Sequence, residues 1–148
     1  MKRRLAQFDL VKPSFPRGHV KMKGFYNSTA YVNALAEQHP GFIWRETAED
    51  QPLLDQLWGE GYLYTLSLWR DVESLKDFLY NTPHRAFIQR GREWFDPILH
   101  PRVVLWWVEP SHVPTLREAH ARLTRLYEVG PSHDAFDLRS SELPTVLY

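Results

Sequence analysis

The sequence contains no cysteine, which excludes disulfides, thiolate catalysis and cysteine-ligated metal sites. It carries no net charge, since 18 lysines and arginines balance 18 acidic residues, whereas a dedicated nucleic-acid binder usually shows a basic excess. No apolar run approaches the roughly 20 residues of a membrane span. "MKRRLAQFDL" starts like a signal peptide, but Gln7 and Asp9 interrupt the apolar run before it reaches the about 7–15 residues such a segment needs. The expectation is a cytoplasmic protein without nucleic-acid or membrane partners. Several catalytic signatures are also missing. No histidine pair has the i, i+4 spacing of a helical metal site, no Gly-x-Ser-x-Gly elbow occurs, and there is no phosphate loop or dinucleotide fingerprint. "SHD" at 132–134 is contiguous, which is not how a triad is arranged. No dedicated metal site is expected.

Aromatic residues, by contrast, are abundant: 14%, with six tryptophans. Their area and ring geometry suit cores, interfaces and ligand pockets alike. At 148 residues the chain reads as one domain, 1–148. "LAQFDLV" (5–11) alternates between Ala6, Phe8 and Leu10 on one face and Gln7 and Asp9 on the other, the pattern of a half-buried strand. Asn27 or Ser28 can cap a helix over 29–38, and "FIWRE" (42–46) is a short strand. "TAEDQPLLDQLWGEG" (47–61) is a long connection with Leu53, Leu54, Leu57 and Trp58, suited to a short helical lid. "YLYTLSLW" (62–69) is the clearest strand. A helix follows over 72–80 with Asp71 as cap, then an interrupted helix over 83–95 and a strand in "RVVLWWV" (102–108). "TLRE" (115–118) has the form of a capping box and opens a helix that Gly130-Pro131 ends. An edge strand is expected near "AFDLR".

The order is β-α-β-β-α-β with an extra C-terminal helix, an α+β arrangement of ferredoxin-like type with helices on one face of the sheet. Leu66 and Leu68 suit the helix-covered side, and the opposite side carries Gln7, Asp9, Thr65, Ser67 and Trp69. Such a face is a poor dry core and a poor naked surface. The expectation is a homodimer in which two sheets close over it and enclose a cavity for a small molecule.

"NTPHRAF" (81–87) stops one helix and restarts another. Thr82 is a good N-cap and Pro83 a good first helical residue, which puts His84 in the first turn. The helix dipole disfavours imidazolium there, and a neutral ring can accept a proton or bind a metal. The same break also serves architecture alone, with a solvated histidine. Ser67 and Trp69 share one face of a strand and can line a pocket or a dimer core. Trp106 and Trp107 point to opposite faces, as do Trp44 and Arg45, and alternation does not say which faces the cavity. Arg90 and Arg92 can clamp a carboxylate or sit on a solvated helix face. His39, His100, His112 and His133 lie in turns or at loop ends and read as surface residues. His120 borders the apolar stripe of the last helix and reads as a packed structural histidine.

The stretches "YVNALAEQHPGFIWR", "LSLWRDVESLKDFLYNTPHRAFIQRGREWFDP" and "VVLWWVEPSHVPTLREAHARLTRLYEVGPSHDAF" resemble, in that order, domain-of-unknown-function family 3291. That family resembles the dimeric α+β barrel superfamily, with its antibiotic-biosynthesis monooxygenases, haem-degrading enzymes and small-molecule isomerases. The resemblance implies a dimeric α+β barrel and a histidine near position 84 at the site. Three functions follow as expectations. The first is a monooxygenase-like enzyme acting on an apolar or aromatic small molecule, possessing no cofactor, with His84 as base and Trp69, Ser67, Trp107, Trp44 and Arg92 around the substrate. The second is a haem protein with His84 as axial ligand. The third is a non-enzymatic ligand-binding or assembly domain.

Overall fold

The structure, a computed structural model, describes residues 2–98 and 101–142. Strands β1 (Arg4–Val11), β2 (Phe42–Arg45), β3 (Leu63–Trp69) and β4 (Val103–Val108) form one sheet in the order β2-β3-β1-β4. All neighbours are antiparallel. Helix α1 (Lys23–Gln38) joins β1 to β2, and α2 (Gln51–Trp58) joins β2 to β3. Between β3 and β4 run α3 (Val72–Asn81), α4 (His84–Gln89) and the single turn α5 (Gly91–Trp94), and α6 (Leu116–Val129) follows β4. Strand order and crossovers are consistent with a ferredoxin-like fold.

Local chemistry sets the helix boundaries. The Asp71 carboxylate accepts the Ser74 N–H at 2.8 Å and opens α3. Asp50 does the same for α2, accepting from Leu53 at 3.2 Å, with Pro52 in the first turn where its missing N–H costs nothing. Thr115 caps α6 through the Glu118 N–H at 3.2 Å. The Glu118 side chain does not complete a capping box; it accepts from the Trp106 indole at 2.7 Å and pairs with His112 at 2.6 Å. Gly130 ends α6 at φ +76°, a backbone angle that glycine adopts freely. Helix α1 begins before the expected cap: Ser28 lies inside it, with its hydroxyl donating to the Gly24 carbonyl at 2.5 Å. Near "AFDLR" there is one bridge rather than a strand, Leu105 and Phe136 exchanging bonds of 2.7 and 3.0 Å.

Alternation divides the sheet as expected, but the helices distribute differently. Ala6, Phe8, Leu66, Leu68 and Trp106 meet α6 and α2, with Trp58 stacked on Phe8 at 4.9 Å between centroids. Leu5, Trp69 and Leu105, on the other face, meet Ala36 of α1 and Leu75 and Phe78 of α3. The chain therefore covers both faces, and the crossover helices lie on the Trp69 side. Crossover handedness, which alternation does not encode, selects the face for α1 and α3. The uncovered sheet face from which a homodimer was expected is absent among the described residues, since the tryptophan-bearing side is closed by the chain's own helices.

Candidate functional site

The face beneath α1 and α3 has a polar middle. In the β1–β3 register Leu5 lies opposite Trp69, Gln7 opposite Ser67 and Asp9 opposite Thr65. A row of hydrogen bonds crosses the strands. The Trp69 indole donates to Ser67 Oγ at 2.9 Å, Ser67 donates to Gln7 Oε1 at 2.7 Å, and Gln7 Nε2 donates to Thr65 Oγ1 at 3.3 Å. Buried polar atoms need such partners, and the row explains how Gln7 and Ser67 sit inside the protein.

Asp9 does not join the row. Its Oδ1 is buried without a hydrogen-bond partner, although the side chain keeps 29% of its surface. The nearest cation is Arg102, with Nε 3.5 Å from Oδ1. Burial pushes the carboxyl from the usual 3.8 up to about 6, and the Arg102 charge opposes only part of that rise. A part-exposed carboxylate whose pKa is raised to about 6 is what a general base requires.

Above this floor lies a cavity of about 460 Å³ between the sheet, α1, α3 and the α4–α5 segment. Asp9, Gln7, Thr65, Ser67, Trp69 and His84 are all on its lining. Its walls are aromatic. Trp69 stacks on Phe78 at 5.1 Å and meets Phe42 edge-on at 5.4 Å, while Phe78 contacts the His84 ring at 4.7 Å. Pairing of residues 12–14 with 94–96 ties β1 to α5: Ser14 N–H reaches Trp94 O and Asp96 N–H reaches Lys12 O, both at 2.8 Å.

The α3–α4 break places His84. The Thr82 hydroxyl donates to Phe78 O at 2.5 Å and accepts the His84 N–H at 3.2 Å, so one side chain ends α3 and caps α4. The imidazole Nδ1 donates to Leu79 O at 3.3 Å, which leaves Nε2 with its lone pair. Burial lowers the His84 pKa, partly opposed by the Leu79 carbonyl. The neutral ring expected from the sequence therefore arises chiefly from desolvation.

Three of the residues singled out from the sequence, His84, Ser67 and Trp69, share this cavity. The other three are elsewhere. Trp44 packs into the α2–α6 core on the opposite face. Arg92 is exposed on α5 and does not line the cavity. Trp107 shares the cavity's face but packs against Phe136 and borders a second, open cleft with His112 and His133. Trp106 is wholly buried under α6. His39 is not a surface residue: its side chain is 9% exposed, accepts the Gly41 N–H at 3.0 Å and pairs with Asp77 at 2.8 Å. His120 packs edge-on against Trp58 at 4.9 Å. His100 lies outside the described residues. Asp9, Gln7, Thr65 and Arg102 were not read as site residues. The available signal was a carboxylate in the middle of an alternating strand on a face with a tryptophan. Among the described residues no group of three or more histidines and carboxylates is placed to hold a metal ion, and no helix is long and apolar enough to cross a membrane.

These features define an α+β protein with a single-chain cavity between a four-stranded sheet and its crossover helices. The chain belongs to the family described as a domain of unknown function, DUF3291, which it matches over residues 4–146. Among curated proteins nothing matches it. Similar folds occur in solved structures. The NE2512 protein of unknown function from Nitrosomonas europaea aligns with a TM-score of 0.53 at 12% identity, covering 77% of this chain and 97% of that one. PA3566 from Pseudomonas aeruginosa aligns with a TM-score of 0.50 at 16% identity, covering 76% and 98%. At these identities the likeness concerns the fold alone.

Proposed function

We propose that the protein is a small-molecule enzyme that removes a proton from an apolar or aromatic substrate held over the sheet, with Asp9 as the proton acceptor. The observation that supports this most is the part-exposed Asp9 carboxylate, its buried Oδ1 without a hydrogen bond, on the lining of a ring-walled cavity. A substrate C–H or O–H proton passes to the part-exposed Asp9 carboxylate and its electron pair stays on the substrate. The negative charge moves from carboxylate to substrate and remains close to the Arg102 guanidinium. Transfers of this kind contribute about 10²–10⁴-fold. His84, whose Nε2 keeps its lone pair, supplies a second proton-transfer group on the roof.

The finer reading is monooxygenase-like. Dioxygen takes electrons from the deprotonated carbon of a CH₂ group, one oxygen atom becomes a new carbonyl, and the other leaves with both hydrogens as water. 2-Tetralone, an aromatic ketone with an acidic CH₂, is a suitable probe. The proposal expects faster deuterium exchange and oxygen uptake with the wild-type protein than with Asp9→Asn. Exchange at the buffer rate in both proteins removes the reading.

A second reading is favoured by His84 alone. With Nδ1 held on a backbone carbonyl, Nε2 is presented as metal-ligating histidines present theirs. Arg17 and Arg45 line the same cavity and suit the carboxylates of a haem. Added haemin would then give a Soret band that His84→Ala loses; no band with the wild type ends this reading.

A further inference from the structure

The hydrogen-bond row has a direction. An indole N–H can only donate, so Ser67 Oγ accepts from Trp69. Ser67 has one proton to give, and Gln7 Oε1 is its acceptor. Burial selects this amide orientation, because the flipped one would strand the proton of buried Ser67, whereas this one leaves over the proton of exposed Thr65. Gln7 Nε2 therefore donates to Thr65 Oγ1. The Thr65 hydroxyl, having accepted, still has its own proton, and among the described residues it donates no hydrogen bond. Thr65 is exposed on an inner strand, although Ser67 beside it on the same face is buried, and it borders the cavity.

Asp9 stands directly opposite Thr65 in the β1–β3 register, on the same face. Cβ atoms of such pairs are about 4.5–5.5 Å apart. A spare donor and a part-exposed carboxylate thus lie side by side on the cavity floor. We propose that Thr65 and Asp9 together recognise a 1,3-dioxygenated ring, in which one oxygen is an acidic O–H given to Asp9 and the other accepts from Thr65. Oxygens on adjacent ring atoms are too close to meet both groups, and oxygens at opposite ends of a ring point away from each other. This rests on the reading of Asp9 as the proton acceptor and adds to it the substrate class.

The three dihydroxybenzene isomers and phenol are probes that separate the two ideas, with binding measured by calorimetry on the full chain. Resorcinol, the 1,3-isomer, is expected to bind about tenfold more tightly than phenol, the worth of one further hydrogen bond. Catechol and hydroquinone should stay near phenol. Thr65→Val keeps the β-branched shape without the hydroxyl and should erase the resorcinol preference, while Thr65→Ser should retain it. Equal binding of the three isomers, or a preference that survives in Thr65→Val, overturns this proposal and leaves the reading of Asp9 intact. Failure of all four compounds to bind overturns both.

Discussion

The Nε of Arg102 stops 3.5 Å from Oδ1 of Asp9, beyond the about 2.7–3.2 Å of an N–H···O hydrogen bond. The guanidinium eases the carboxylate's charge without satisfying its oxygen. Asp9 is therefore held at an energetic disadvantage, and it can gain by receiving a proton or a ligand's hydrogen bond.

That disadvantage should be visible in folding. The folded pKa of Asp9, about 6, lies above the ordinary 3.8. Below 3.8 the group is protonated in both states and contributes nothing. As pH rises, the unfolded chain ionises first, so stability falls through this window and the loss is complete above the folded value. At about 1.36 kcal/mol per unit the loss is about 2–3 kcal/mol. Asp9→Asn should become progressively more stable than wild type between pH 4 and 8 in urea titrations. A difference that does not change with pH contradicts this.

His84 has the opposite sign. Its folded pKa is lowered from 6.5, so its contribution is present above 6.5 and is lost as pH falls through the lowered value. ¹⁵N spectra at pH 7.5 should show a neutral ring protonated on Nδ1, donating to Leu79. An imidazolium signal, or the Nε2–H tautomer, would remove both the assigned geometry and the free lone pair.

Gly41 anchors one wall of the cavity. A Cβ there would lie 2.2 Å from both Cβ and Oγ of Ser74, which is buried at the start of α3. The Gly41 N–H also holds His39, whose ring packs on Trp69 at 5.7 Å. Gly41→Ala should destabilise the protein by about 1–3 kcal/mol through overpacking, measured as a lower Tm. An unchanged Tm would mean that α3 is free to move away.

Much of this frame was legible in the sequence. Period-two alternation marked β1 and β3, and a continuous apolar run marked β4, to within a residue or so, and Asp71, Thr115 and Gly130 marked helix ends, because these signals are local. The start of α1 was missed because Gly24, Phe25 and Tyr26 look like loop residues, and the Phe25 ring is held by Trp94 and Phe95, distant in sequence. The site was half legible. His84 followed from the cap–proline pattern, and Ser67 and Trp69 from their shared face. Asp9 was visible as a charge on that face, but its significance depends on α1 and α3 covering it. Arg102 was indistinguishable from any arginine flanking a strand.

The most direct test of the account is a ¹³C titration of the Asp9 side-chain carboxyl in the ligand-free protein. The expected midpoint is about 6 and moves when resorcinol is added. A midpoint at the ordinary aspartate value, unmoved by any ring compound, would contradict it.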